Sequence, residues 1–225
     1  MTSWSKMTYE KNAKAKFSKI LVAIDGSEHS MKAAEYAIYL ARDNNAQLIA
    51  LTVLDITKIG YAASAFIASP MHGLDELEQK RKEAHEWLDK VGKLTSSQKA
   101  NDAIHFKSQI EESMSVAGTI VDFAENQNID LIVVGSRGRS GFTKLLLGSV
   151  ASRVVTYASC PVLVIKWNRY NITTLCTGAD AEKQVTEGLD LILTHLKNLT
   201  RWPRTISTKV SEWRQIQVYS KQEAL

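Results

Sequence analysis

A chain of 225 residues with 44 % hydrophobic and 23 % charged side chains has ordinary globular composition, which excludes a disordered, collagen-like or mucin-like polypeptide. Two cysteines, Cys160 and Cys176, are too few for a disulfide framework or a four-cysteine zinc site. The net charge of +4 sits at the two ends: residues 1–19 hold five lysines against one glutamate, whereas residues 20–166 hold 15 basic and 17 acidic side chains. The body therefore lacks the basic face that nucleic-acid binding requires. No apolar run approaches the roughly 18–20 residues of a membrane span, and residues 1–19 lack the apolar core of a secretory signal. A cytoplasmic, reducing compartment is expected, with residues 1–17 as a basic flexible arm.

Organisation begins at Lys19. Ile20 to Ile24 is a short continuous apolar run ending at Asp25-Gly26-Ser27, which reads as a strand buried on both faces. Ser27 is placed to N-cap a helix, with Glu28 in its first turn, and Met31, Ala34, Ile38 and Ala41 recur at helical spacing. Asn44-Asn45 breaks that helix, and Gln47 to Leu54 gives a second apolar strand. Residues 56–73 show no clean period and read as a long loop with room for a helical turn. Leu74, Leu77, Arg81, Ala84, Leu88 and Val91 then share one face of a highly charged helix. Ala103 to Ile110 reads as a third strand, and Ser113 as the start of a helix carrying Val116, Ile120 and Phe123. Leu131 to Val134 is the most hydrophobic strand. A helix over 149–157 and a fifth strand from Pro161 to Lys166 complete the pattern. Strands alternate with helices, and the strands lack polar alternation. The fold class expected is α/β: a five-stranded parallel sheet with helices on both faces, Rossmann-like.

The functional signal lies after the fourth strand, in Gly135-Ser-Arg-Gly138-Arg-Ser-Gly141 followed by Gly148-Ser149. Glycines directly after a parallel strand allow a tight turn and close backbone approach to a ligand. The opening of the next helix presents unpaired N–H groups to an anion, and Ser149 offers a hydroxyl both to a phosphate oxygen and to the helix cap. Arg137 and Arg139 add charge. Ligands of open α/β sheets sit at the carboxyl ends of the strands where the winding reverses, which puts Asp25 beside this loop. Neither a G-x-x-x-x-G-K-[ST] loop nor a G-x-G-x-x-G after the first strand occurs. Blander roles remain open: Asp25 as a turn or helix cap, Gly135 and Gly138 as plain turn glycines, Arg137 and Arg139 as solvated charges. The five histidines show no metal-ligand spacing, Cys160 reads as a packed thiol, and no catalytic residue is nominated.

The arrangement G-x2-G-x9-G-S (Gly135, Gly138, Gly148, Ser149) resembles the nucleotide loop of the universal stress protein family. Ile-Leu-Val-Ala-Ile-Asp-Gly-Ser at 20–27, Ile-Asp-Leu-Ile-Val-Val-Gly-Ser-Arg-Gly at 129–138 and Cys-Pro-Val-Leu-Val-Ile-Lys at 160–166 resemble that family's first, fourth and fifth strand contexts. The resemblance covers about residues 18–166. It implies an ATP pocket between the first and fourth strands, with magnesium accompanying the phosphates. Asp25, Ala23 and Val53 would meet the adenosine. Gly135, Arg137, Gly138 and Arg139 would follow the phosphates, and Gly148, Ser149 and Val150 would close on them. It also implies a homodimer through an exposed fifth strand, Val162 to Ile165, unless the tail covers that edge.

Residues 167–225 have no counterpart in the resemblance. Val185, Leu189, Ile192, Leu196 and Leu199 recur at helical spacing, so an amphipathic helix is expected over Asp180 to Thr200, available to dock on the domain or bind a protein partner. The reading is an ATP-binding stress-response regulator with slow hydrolysis or none. The alternatives are a non-nucleotide interaction module of the same fold and a nucleotide-using enzyme of related architecture.

Overall fold

The computed structural model describes residues 17–58, 70–96, 104–139, 147–168 and 171–175. The basic arm up to residue 16, residues 140–146 of the glycine loop and the tail helix expected over 180–200 lie outside the described residues. The elements among the described residues are, in chain order, β1 (Lys19–Ala23), α1 (Glu28–Asn44), β2 (Gln47–Asp55), α2 (Pro70–Ser96), β3 (His105–Ser113), α3 (Val116–Asn126), β4 (Leu131–Gly135), α4 (Ser149–Tyr157), β5 (Val162–Asn168) and β6 (Asn171–Leu175). They form one sheet in the order β3-β2-β1-β4-β5-β6. The first five strands are mutually parallel, and β6 runs antiparallel to β5.

The continuous apolar strands are explained by two cores. Ile20, Val22, Leu48, Leu131, Val133 and Leu163 face one layer with α1, Leu88 and Val91. Leu21, Ile49, Leu51, Ile132, Val134 and Val162 face the other with Ile120 and Val154. The middle of β1, Ile20 to Val22, has no solvent face on which a polar side chain would be stable. Ile20, Leu21 and Leu131 are fully buried, and each such side chain stabilises the fold by about 1.5–3 kcal/mol.

Local signals hold α1 as the sequence reads it. The Ser27 side chain accepts from the Ser30 N–H at 3.2 Å, and Asn45 closes the helix at φ 52, a left-handed position that asparagine tolerates. Arg42, in the last turn of α1, donates to the Leu94 and Thr95 carbonyls at 3.3 and 3.0 Å. It thereby ties the last turn of α1 to the last turn of α2.

Four expectations are corrected. α2 starts at Pro70, inside the stretch read as loop, because proline is suited to a first helical turn. β3 runs from His105 to Ser113 instead of ending at Ile110, since it pairs with β2 over all nine residues from Gln47 to Asp55. Ser113 therefore belongs to the strand. Ser115 is the cap of α3, accepting from the Gly118 N–H at 3.3 Å. Finally, the β5 edge is covered by the tail from Val164 onward, while Val162 and Leu163 have no β6 partner. β6, drawn from the tail, pairs with it from Val164↔Leu175 to Asn168↔Asn171. The chain supplies its own neighbour at Val164 and Ile165, half of the Val162–Ile165 edge at which a partner strand was expected.

Candidate functional site

The winding reverses between β1, which leads to β2 on one side, and β4, which pairs with β1 on the other. At the carboxyl ends of these strands lies an open cleft of about 330 Å3. Ala23, Asp25, Val53, Gly135, Arg137, Gly138, Arg139, Gly148, Ser149 and Val150 all line it. All ten residues singled out from the sequence are thus brought together.

The turn after β1 is built around Asp25. Its Oδ1 accepts from the Ser27 N–H at 3.0 Å and from the Ser27 hydroxyl at 2.6 Å. That hydroxyl also lies 3.4 Å from the Arg137 carbonyl, which joins the β1 turn to the β4 loop. One oxygen of the carboxylate therefore closes the turn on Ser27, and the other faces the loop: a Cβ on Gly138 would stand 2.7 Å from Oδ2. Gly135 has a different reason to be glycine. A Cβ there would meet the His29 and Ser30 backbone at 2.8–2.9 Å, so its role includes close packing of α1 against β4.

The α4 end corrects one detail. Gly148 is the N-cap and makes no side-chain cap bond. Ser149 is the first helical residue, exposed and not the cap. The Gly148 N–H donates to the Ser136 carbonyl at 2.7 Å, and the first bond inside the helix runs from the Ser152 N–H to the Gly148 carbonyl at 2.9 Å. Ser149, Val150 and Ala151 thus present the N–H groups that a helix start leaves without intrahelical acceptors, and all three residues line the cleft. Together with the helix dipole they favour an anion.

Side chains missed by sequence reasoning complete the walls. Lys58, Lys80, Asp55, Thr52 and Trp87 line the same cleft. Lys58 pairs with Asp55 at 3.3 Å. Burial pushes the Asp55 carboxyl up, but hydrogen bonds from Thr57 and Lys58 outweigh that and hold it below its ordinary value. Lys80 pairs with Glu76. Arg139 stacks over the Trp87 ring, 5.2 Å from its centroid, with its Nη1 3.7 Å from Glu83 Oε2. The Thr52 hydroxyl is buried without a hydrogen bond among the described residues. No sequence motif flags Trp87 or Lys80; the period of α2 alone, read at i, i+3 and i+7 from Lys80, puts Lys80, Glu83 and Trp87 on a common side.

Cys160, the one described cysteine, lies away from this cleft; burial pushes its thiol up to about 11, which fits a packed, unreactive group. Among the described residues no three His, Cys, Asp or Glu side chains converge as a metal site, and no helix is long and apolar enough to cross a membrane.

The universal stress protein family profile matches residues 16–166. Universal stress protein MJ0531 of Methanocaldococcus jannaschii is 37 % identical over 158 residues, covering 69 % of this chain and 86 % of that protein. Universal stress protein YxiE of Bacillus subtilis is 33 % identical over 151 residues, covering 67 % and 99 %. Among solved structures, the universal stress protein UspA from Lactobacillus plantarum superposes with a TM-score of 0.55 at 30 % identity, covering 67 % of this chain and 98 % of that one. The match spans the five parallel strands as far as Lys166, both helical layers and every lining residue of the cleft, with β6 beyond it, and the chain belongs to the universal stress protein family.

Proposed function

We propose that the chain is an adenine-nucleotide-binding regulator of the stress response, acting in the cytoplasm, with ATP and its magnesium as the resident ligand. The observation that carries this reading is the free start of α4 facing Arg137, Arg139, Lys58 and Lys80 across one cleft. Four cations line the cleft, of which Lys58, Lys80 and Arg139 already face Asp55, Glu76 and Glu83, so the backbone donors at the α4 start supply much of the attraction for an anion. Gly135, Gly138 and Gly148 let the phosphates approach the backbone. Asp25 Oδ2 is left to accept from a ribose hydroxyl, and Ala23 and Val53 offer apolar contact to the base. The cleft offers magnesium few carboxylates, so the ion would be carried mainly by the phosphates. In this reading the nucleotide changes what the protein binds and is not turned over rapidly. A homodimer through β5 would require β6 to leave the Val164–Asn168 edge.

Thermal melts with ATP, AMP and GTP test the reading. ATP at about 100 times its dissociation constant should add about 2.7 kcal/mol of stability, with GTP far weaker. Equal shifts for ATP and GTP would rule out adenine selection.

A further inference from the structure

The geometry points to Arg139 as an exchange residue: it alternates between the Glu83–Trp87 face of α2 and the phosphate end of the ligand, so that filling the cleft releases α2 from the loop. The inference rests on the nucleotide reading above and deepens it. Trp87 touches both lips of the cleft. On one side its ring lies where a Cβ on Gly26 would be, at 2.3 Å, and Gly26 sits in the turn after β1 with φ +77. On the other side the same ring carries the Arg139 guanidinium from the loop after β4. The indole therefore bridges the two segments between which a nucleotide would enter.

Arg139 is held weakly where it is. Its side chain is 59 % exposed, and its contact with Glu83 is long for an ion pair at 3.7 Å. Exposed pairs and exposed cation–π stacks both contribute little. A phosphate in the cleft offers the guanidinium a bidentate, doubly charged partner, which is the stronger hold. Glu83 and the phosphate then compete for one cation, and the loser is α2. Its buried Ala84, Leu88 and Val91, the Arg81–Glu112 pair at 2.6 Å and the Arg42 contacts at its far end lie outside this exchange. The stretch of α2 from Lys80 to Trp87 is thus the part that would respond to occupancy.

The test uses the full chain, ATP as the probe, and Trp87 emission obtained as the difference between the parent and Trp87→Phe. Without nucleotide, Arg139→Ala should shift that emission; saturating ATP should produce the same shift in the parent and no further shift in Arg139→Ala. By calorimetry, Glu83→Gln should bind ATP about threefold more tightly than the parent, the size of one exposed ion pair removed from the competition. A merely structural Glu83 would leave affinity unchanged or lower it. ATP binding with unaltered Trp87 emission, or with no gain in Glu83→Gln, overturns the exchange and leaves the nucleotide reading standing. A parent that binds no ATP overturns both, even where Arg139→Ala still shifts the emission of the unliganded protein.

Discussion

The cleft has two unlike walls. The loop wall, from β1, β4 and α4, works through backbone: Gly138 pressed on Asp25, Gly148 bonded to Ser136, and the free N–H groups of Ser149 to Ala151. The helix wall, from α2, works through side chains: Lys80, Glu83 and Trp87. Backbone sites need glycines, and glycines in a fixed spacing are visible in a sequence. A side-chain wall on a helix has the composition of any solvated surface. The two walls should also fail differently. Damage to the loop wall should abolish binding while sparing the fold, and damage to the helix wall should cost stability first.

The largest effect is expected at Gly138. Valine there would collide with Asp25 Oδ2, whose carboxylate is already tied by Ser27. ATP affinity should fall at least about a hundredfold while helix and strand content persist, because the substitution blocks close approach to the backbone. Calorimetry alongside circular dichroism checks both halves. Loss of secondary structure would mean that the loop wall is part of the core, and the contrast between walls would collapse.

Trp87→Ala probes the other wall. The half-buried indole packs on Gly26 and beneath Arg139, so its removal should lower stability by about 1–3 kcal/mol. Urea denaturation measures this. A loss below about 0.5 kcal/mol, within the range of ordinary surface changes, would make α2 a bystander.

The smallest effect is expected at Ser149, where alanine removes one hydroxyl and leaves the helix N–H groups in place. ATP binding should weaken by roughly 1 kcal/mol, about fivefold, with unchanged melting of the unliganded protein. Titration calorimetry resolves a change of that size. Since Gly148 and not Ser149 is the cap, a large loss of unliganded stability would contradict the structure of this end.

The same division between backbone and side chain explains what was legible in the sequence. β1, β2, β4 and the start of β5 are buried on both faces, so their apolar runs mark them to within a residue or two. β3 lies at an edge and is written His-Phe-Lys-Ser-Gln-Ile-Glu-Glu-Ser; polarity hid its last three residues, and the two serines nearby made the α3 cap ambiguous. β6 is a five-residue, largely polar segment stabilised by pairing with β5, a long-range term that periodicity does not register. In the cleft, Asp25 and the glycines were found because loop chemistry demands those residue types. Trp87 was not, because the apolar stripe through Ala84, Leu88 and Val91 accounts for α2 as a packing helix, and Trp87 stands beside that stripe, facing the cleft.

The central claim is that phosphates meet the backbone of this loop and the start of α4. Amide-resolved nuclear magnetic resonance of the full chain during an ATP titration tests it most directly, since it reads each N–H separately. The largest saturable shifts should fall on Arg137, Gly138 and Arg139 and on Ser149, Val150 and Ala151, with the Trp87 indole N–H moving at the same ATP concentrations. Binding that leaves those six amides unmoved, or shifts confined to other parts of the sheet, would contradict the account.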